Sequence, residues 1–265
     1  MEIYTWVAQK GGVGKTMLCY NFAEYLAYKG KKVLLVDSDH SCNLSQIYNS
    51  DIPTNSIKGM YDNEEVNIHH VKKNIDLISG YYDFDKLEKR LQESEEDHKD
   101  FKMIRWVMDN REKLEKYDYI MFDTHNDFNY GVKNSIAVSD KVFSPDVPTG
   151  LNDKNEANMF VQFNEFKKRK YDFITRKPMV HAQLYFIGNK VKHNTKTSKE
   201  FLEEMEQREG YITSFEEKDL FLKSVKDRKS IVEMMNDKHI YQKHKKFFNN
   251  FIENCEKMLN VKGEE

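Results

Sequence analysis

Ala-Gln-Lys-Gly-Gly-Val-Gly-Lys-Thr, residues 8–16, lies between an apolar run and a segment with helical periodicity. Its glycines let successive backbone N–H groups surround phosphate oxygens, because no Cβ blocks the approach. Lys15, at the start of the helix, would reach the β- and γ-phosphates, and the Thr16 hydroxyl would hold Mg²⁺. A plain glycine turn would not require this lysine and threonine. The stretch therefore predicts a phosphate-binding loop, although Gln9 stands where the standard pattern has glycine and Lys10 is an additional lysine.

The loop opens an alternation of predicted strands and helices. Apolar runs predict strands over residues 3–8, 32–36, 75–78, 119–122, 141–144 and 184–187. Helical patterns cover residues 15–29, 83–116 with a break near 94–98, 152–170, 197–209 and 227–259. Strands separated by helices indicate an α/β fold with a mostly parallel twisted sheet flanked by helices. We expect a single domain over residues 1–265, with a helical C-terminal portion at about 227–260.

The amino-acid composition limits the cellular compartments and the binding partners that the protein is expected to have. Lysine and arginine number 42 against 44 acidic residues, so contact with a polyanion would need a local basic patch. Cys19, Cys42 and Cys255 have neither CxxC nor zinc-binding spacing, which is typical of a reducing cytosol. Apolar runs of membrane-spanning length and the pattern of a signal peptide are both absent from the sequence. We therefore expect a cytoplasmic protein.

Three carboxylates follow predicted strands. Asp37 and Asp39 come after residues 32–36, and Asp123 comes after residues 119–122. Because ligands of parallel sheets bind at the carboxyl ends of strands, we expect these aspartates beside the phosphate loop. A carboxylate there can orient the waters of Mg²⁺ or the water that attacks phosphorus. Each aspartate alone would more often be a cap or turn residue, and the loop upstream favours the catalytic interpretation.

Three motifs resemble the deviant Walker A ATPases of the ParA/MinD family. They are Lys-Gly-Gly-Val-Gly-Lys-Thr at 10–16, Val-Leu-Leu-Val-Asp-Ser-Asp at 33–39 and Tyr-Asp-Tyr-Ile-Met-Phe-Asp-Thr at 117–124. Looser similarity continues at 144–148 and 186–189, so the resemblance spans roughly the first 195 residues. It implies a P-loop NTPase of the deviant Walker A type that binds ATP and Mg²⁺, hydrolyses ATP slowly and forms an ATP-sandwich homodimer.

The resemblance assigns roles to individual positions. Lys10 would cross the dimer to the partner's phosphates, Lys15 would hold the phosphates of its own site, and Asp39 would position the attacking water. Thr16 would ligate Mg²⁺, with Asp123 and Asp37 acting through water. The implied nucleotide contacts are Lys10, Gly11, Gly12, Val13, Gly14, Lys15, Thr16, Met17 and, at the adenine edge, Asn189.

The sequence departs from the family pattern at three places near this site. Met17 stands where a second threonine is common, which removes a hydroxyl near the α-phosphate. His40-Ser41 replaces the usual Pro-Gln, and His125-Asn126 replaces the usual Pro-Pro. Because prolines stiffen loops, their loss would loosen the switch segments and slow or alter hydrolysis.

Four functions known among such ATPases compete. An iron–sulfur carrier would need paired cysteines, and a tyrosine kinase would need a terminal tyrosine cluster; the sequence has neither. A MinD-like membrane-cycling regulator of cell division would need a membrane-binding helix, for which the apolar stripe between Phe247 and Leu259 is a candidate. Such a stripe more often packs on its own sheet. The preferred function is therefore partition of plasmid or chromosomal DNA, with the MinD-like function as the alternative.

A partition ATPase would bind non-specific DNA as an ATP dimer and work with a centromere-binding ParB-type adaptor. Its DNA contacts are predicted at a basic cluster, although such a cluster is more often a solvated face. The cluster consists of Lys223, Lys226, Arg228 and Lys229. The first strand begins at residue 3, so we expect no operator-binding domain before it, and we expect the protein to associate with the nucleoid.

Overall fold

The structure is a computed structural model that describes residues 1–50, 55–148, 154–172 and 174–261. Its centre is an eight-stranded sheet in the order β3-β4-β2-β5-β1-β6-β7-β8. The strands are β1 Glu2–Trp6, β2 Val33–Ser38, β3 His69–Lys72, β4 Ile75–Ile78, β5 Tyr119–Thr124, β6 Lys141–Asp146, β7 Gln183–Val191 and β8 Tyr211–Glu216. Every pairing is parallel except that of β3 with β4. The predicted fold class is confirmed.

Helices cover both faces of the sheet. They are α1 Lys15–Tyr28, α2 Asn43–Ile47, α3 Lys58–Asp62, α4 Phe84–Glu93, α5 Lys102–Asp109, α6 Arg111–Leu114, α7 Tyr130–Val138, α8 Lys154–Arg169, α9 Lys196–Glu206, α10 Asp219–Lys226, α11 Ile231–Met234 and α12 Lys238–Asn260. A 3₁₀ helix, Lys99–Phe101, precedes α5. None of the described helices is long and apolar enough to cross a membrane.

The central strand β2 shows how two cores form on one sheet. Val33 and Leu35 pack into a core with α1, α10, α11 and α12, whereas Leu34 and Val36 pack into a core with α3, α4 and α5. Successive side chains of a strand point to opposite faces, so a continuous apolar run is buried on both sides. This double burial fixes the register of β2, and with it the position of Asp37 near the end of the strand and of Asp39 directly after it.

The six predicted strands are all present, together with two strands that were not predicted. β3 contains two histidines and a lysine and pairs antiparallel at one edge, while β8 forms the other edge with partly exposed side chains. Edge strands need less apolar sequence, so these two lack the apolar runs that predict a strand. Helices α2, α3, α7 and α10 were not predicted either. The predicted break in the helical segment 83–116 is confirmed, since α4 ends at Glu93. Residues 152 and 153 of the predicted helix 152–170 lie outside the described residues. Residues 262–265 of the predicted domain also lie outside them.

The apolar stripe of the C-terminal portion belongs to the core. Phe247, Phe248, Phe251, Cys255 and Met258 of α12 are buried in the cluster that also contains α1. The interpretation that this stripe packs on its own sheet is confirmed. The helical tail is interrupted between α11 and α12, where the Asp237 side chain caps α12 by accepting from the backbone N–H groups of its first turn.

Candidate functional site

Three adjacent central strands bring the predicted site residues to one edge of the sheet. The loop after β1, Asp37 near the end of β2, Asp39 directly after β2 and Asp123 near the end of β5 lie together because β5 is between β2 and β1. Asp37 and Asp123 are direct register partners on β2 and β5. Trp6, the last residue of β1, is the partner of Asp123 on the other side. The strand order thus assembles the site that the sequence predicted from separate segments.

The glycines of the loop have conformations that other residues rarely adopt. Gly12 has φ +78° and Gly14 has φ +88°, both in the left-handed region. A Cβ on Gly14 would lie 2.5 Å from Asn189 Nδ2, so the position also requires glycine for space. The left-handed turn exposes backbone N–H groups at the start of α1, where the helix dipole favours an anion.

Two residues near the carboxyl end of β7 hold the loop from behind. Asn189 Nδ2 donates to the Val13 carbonyl at 2.7 Å, and Lys190 Nζ donates to the Gly12 carbonyl at 2.6 Å. Asn189 is fully buried at the base of the loop. Its predicted contact with the adenine edge stays a prediction, and the contact that the structure shows is with the loop backbone.

Lys15 is surrounded by carboxylates. It is only 5% exposed, and its Nζ donates to Asp123 Oδ1 at 3.0 Å and to the Thr124 carbonyl. Asp39 Oδ2 is 3.9 Å from the same nitrogen. A buried ammonium needs such partners, since an isolated charge in the interior is costly. These contacts hold the lysine ammonium close to the loop that would receive phosphate.

Negative charge exceeds positive charge in this buried site. Burial, together with the charge of Asp123, raises the pKa of Asp37 to about 7, although Ser45 opposes the rise by donating to Asp37 Oδ2 through its backbone N–H and its hydroxyl. Burial also raises the pKa of Asp123, and the Lys15 charge and the Thr16 side chain oppose that rise. A cation that prefers oxygen ligands would reduce the repulsion between these carboxylates.

A cavity of about 700 Å³ opens above the loop. Its walls are the loop from Gly12 to Met17, the segment after β2 that contains Asp39 and His40, His125 and Asn126 after β5, Lys190, and part of the α10 region including Lys226 and Arg228. This size is within the range of cavities that hold small molecules and cofactors. The basic side chains on its wall would complement a polyanionic ligand.

The residues at the loop suit ATP and Mg²⁺. Asp123 Oδ2 and Asn189 Oδ1 are buried and lack a hydrogen-bond partner among the described residues. Buried acceptors of this kind usually have a partner, so each is consistent with a ligand or ion that completes the site. Thr16 and the carboxylates supply oxygen ligands of the type that Mg²⁺ prefers. The glycine loop and Lys15 supply donors for phosphate.

The structure brings most of the predicted site residues together and separates the others. The loop residues, Asp37, Asp39 and Asp123 share one edge of the sheet. Lys10 and Gly11 lie at the start of the same loop but outside the walls of the cavity. The predicted basic cluster is divided, because Lys226 and Arg228 line the cavity whereas Lys223 and Lys229 are exposed residues away from its walls.

Several residues that shape the site were not predicted from the sequence. Lys190 was detectable in principle, because it follows Asn189 at the same edge of the sheet as the aspartates. Ser45, whose hydroxyl donates to Asp37 at 2.7 Å, could not be detected in the sequence, because this contact depends on where α2 lies relative to β2. Gln9, the departure from the standard loop, donates through Nε2 to Gln162 Oε1 at 2.9 Å and so connects the loop to α8.

Comparison with known proteins agrees with this geometry. Residues 1–175 match the AAA domain family AAA_31. An uncharacterized protein of Methanocaldococcus jannaschii is 28% identical over 218 residues, which is 78% of this chain and 80% of that protein. The chromosome-partitioning ATPase Soj of Treponema pallidum is 58% identical over 40 residues, which is 15% of this chain and 16% of Soj.

Solved structures share the fold at low sequence identity. A putative plasmid partition protein of Borrelia burgdorferi bound to AMPPNP superposes with a TM-score of 0.71 at 22% identity, covering 97% of this chain and 99% of that protein. The ATP complex of a McdA variant from Cyanothece superposes with a TM-score of 0.80 at 14% identity, covering 100% of this chain and 98% of McdA. At these identities the likeness establishes the fold alone.

Proposed function

The chain belongs to the AAA domain family AAA_31, and on that premise we propose that it is a ParA-type ATPase that partitions plasmid or chromosomal DNA. In this proposal two copies form a dimer around ATP and Mg²⁺, the dimer binds DNA without sequence specificity, and a ParB-type adaptor stimulates slow hydrolysis. The protein would act in the cytoplasm on the nucleoid. The chromosome-partitioning function of Soj and the plasmid-partition function ascribed to the Borrelia burgdorferi protein support this choice.

The observation that carries the proposal is the convergence of one lysine and three aspartates on a left-handed glycine loop. Lys15 lies between Asp123 and Asp39, and Asp37 is the register partner of Asp123. Phosphoryl transfer depends mainly on positioning and on electrostatic stabilisation, which such a set of groups supplies. A structural loop would have no need to bury an ammonium among carboxylates.

Each side chain has a role that follows from its contacts. Thr16, with Asp37 and Asp123, would hold Mg²⁺, and the bound ion would neutralise phosphate charge. The N–H groups of the loop and Lys15 would bind phosphate oxygens. Asp39 is fixed by Ser41, whose backbone N–H and hydroxyl both donate to Oδ1, at 2.9 and 2.6 Å. Its Oδ2 would then accept a hydrogen bond from the attacking water.

Burial of the α12 stripe weakens the MinD-like alternative. A helix that inserts into lipid must expose its apolar face, and the large apolar side chains of this stripe are in the core of the described structure. Releasing them would expose that core. The DNA-partition proposal requires no such rearrangement.

Replacement of Lys15 tests the nucleotide site. We expect Lys15→Ala to weaken binding of Mg²⁺–ATP at least about tenfold, since one hydrogen bond to a charged group contributes about 1.5–3 kcal/mol. The measurement is isothermal calorimetry, with a thermal melt to confirm folding. Lys29→Ala is the matched control, because Lys29 follows the other end of α1 and pairs with Glu256 on the surface. Unchanged ATP affinity in folded Lys15→Ala would refute the assignment of the loop.

A further inference from the structure

A cluster of metal-ligating side chains lies beside the Mg²⁺ ligands proposed above. Asp39, His40 and His125 each place one ligand atom within 4.8 Å of the other two. Within the described part of the chain this is the one group of three or more such residues that close together. All three side chains line the cavity above the phosphate loop.

The sheet explains why the two histidines meet. Ser38 on β2 and Thr124 on β5 are register partners, so the residues that leave these strands run side by side. The rings of His40 and His125 have centroids 4.3 Å apart and are tilted by 53°. The two rings are therefore close enough to offer one ligand atom each to a single ion.

The charges around the rings favour a cation. His40 Nδ1 is 3.4 Å from Asp85 Oδ1 and 3.7 Å from Asp39 Oδ1, and it makes no hydrogen bond within the described residues. His125 Nδ1 is 3.5 Å from Asp127 Oδ2. A carboxylate beside the ring of a metal-bound histidine is a common arrangement, because it orients the imidazole. Lys15, 3.9 Å from Asp39, is paired more closely with Asp123, at 3.0 Å.

We propose that Asp39, His40 and His125 form a binding site for Zn²⁺. Two imidazoles and one carboxylate are a donor set typical of zinc with a fourth position left open. Zinc ligands at about 2.0–2.2 Å from the ion lie about 3.4 Å apart in a tetrahedron, so small rotations of the half-buried histidines suffice to close the site. Mg²⁺ prefers oxygen ligands and would not compete for the imidazoles.

The site has a consequence that rests on the proposed function. Asp39 is the residue assigned to position the attacking water. A zinc ion bound to its carboxylate would prevent that carboxylate from accepting the hydrogen bond of the water. Zn²⁺ would therefore inhibit ATP turnover, and the inhibition would require the two histidines. Zinc binding itself does not depend on whether the protein hydrolyses ATP.

Equilibrium dialysis with Zn²⁺ tests the site in the full chain without nucleotide. We expect one zinc ion per chain that excess Mg²⁺ does not displace, and an affinity about 100-fold weaker in His40→Ala and in His125→Ala, because removing a direct ligand costs at least as much as removing its supporting carboxylate. His70→Ala is the matched control: His70 also lies beside a carboxylate, with Nδ1 hydrogen-bonded to Asp76 Oδ1 at 2.8 Å, and belongs to no such cluster in the described chain. Equal zinc affinity in the parent and in both variants would overturn the site.

Turnover at a buffered free Zn²⁺ concentration tests the consequence separately. We expect Zn²⁺ to lower the parent's rate and to leave the rate of His40→Ala and His125→Ala much less changed relative to each variant's own zinc-free rate. Equal inhibition of parent and variants would overturn the inhibitory role. If the parent has no ATPase activity, the proposed function fails, and the dialysis result still decides whether zinc binds.

Discussion

Lys15 and the aspartates near it form a charge arrangement that is incomplete without a ligand. One ammonium lies among Asp37, Asp39 and Asp123, and burial raises the pKa of two of these carboxyl groups. Phosphate would draw the lysine toward the loop and leave the carboxylates to a cation. The same residues therefore account for the affinity for both parts of Mg²⁺–ATP, and they lower the stability of the protein while the site lacks them.

The loop and its aspartates were predictable because each has a local chemical requirement. The glycines of the loop and the carboxylates that end apolar runs are visible in the sequence. The structure then shows that Gly14 has the left-handed conformation that requires glycine. The contact between His40 and His125 was not predictable, since it depends on the register of two strands that are more than 80 residues apart in sequence. Asn189 was predicted as a nucleotide contact from resemblance, and its loop contact emerged only from the structure.

Asp37 predicts an unusual dependence of stability on pH. Its pKa is raised in the folded state to about 7 from 3.8, so between these values the unfolded chain loses a proton that the folded protein keeps. This contribution therefore lowers the free energy of unfolding as pH rises through that window. We expect Asp37→Asn, without ligand, to stabilise the protein by about 1–2 kcal/mol more at pH 8 than at pH 4. Urea unfolding at both pH values measures this, and an equal effect at the two would contradict it.

Asp39 predicts a separation of binding from chemistry. Its Oδ1 is held by Ser41, and it contacts Lys15 only at 3.9 Å, so its removal leaves the phosphate ligands in place. We expect Asp39→Ala to bind ATP normally and to lose turnover about 100-fold or more, the usual size of a general-base effect. Asp109→Ala, an exposed aspartate paired with Arg105, is the control and should keep the parent's rate. Parental turnover in Asp39→Ala would mean that another group positions the water.

At the scale of the elements, buried strands and long helices were predictable, and polar edges and short helices were not. β2 and β5 are buried along their whole length, so their sequences are continuous apolar runs ending in aspartate. β8 alternates partly exposed and buried residues at a sheet edge, and α7 is nine residues long with serine and asparagine in its buried face. The stability of such elements comes from tertiary contacts that no local pattern contains.

Helix α12 predicts a stability effect that also separates the two cellular functions. Phe251 is buried among Phe215, Phe221 and Tyr25, with ring centroids 6.0, 6.1 and 6.4 Å away. We expect Phe251→Ala to cost about 3–5 kcal/mol in the free energy of unfolding, because it removes a packed aromatic side chain. Asn249→Ala, an exposed position on the same helix, should change stability by less than about 0.5 kcal/mol.

Urea unfolding of both α12 variants checks this, and sedimentation with anionic vesicles completes the test. If the apolar stripe of α12 is a core element, the parent should not sediment with the vesicles in the presence of ATP. A small stability loss in Phe251→Ala together with ATP-dependent vesicle binding by the parent would contradict the core assignment and favour the membrane-cycling alternative.

At the scale of the whole molecule, the proposed function requires two copies to act together. The chain has a formal net charge of −2, so one copy has no general attraction for DNA. The exposed Lys223 and Lys229 belong to the same chain segment as Lys226 and Arg228, which line the cavity. A dimer would double the basic surface that faces DNA and make binding steeply dependent on salt. In the proposed dimer Lys10 would couple this doubling to ATP by reaching the partner's phosphates.

Lys10 and the exposed lysines therefore predict two distinct defects in DNA binding. We expect Lys10→Ala to keep nucleotide binding, since Lys15 and the glycines remain, and to lose the increase in DNA affinity that ATP produces.

We expect Lys223→Ala combined with Lys229→Ala to keep the ATP dimer and to bind DNA more weakly, with a salt dependence that is shallower by about 0.9 for each DNA phosphate that the variant no longer neutralises. Lys226 and Arg228 stay unchanged because they line the cavity, and their loss would confuse the two effects. Lys196→Ala with Lys199→Ala removes the same charge from exposed positions on α9 and is the control. Filter binding with ATP and with ADP across a salt series measures all three, and DNA affinity that ignores both nucleotide and these lysines would refute DNA partition.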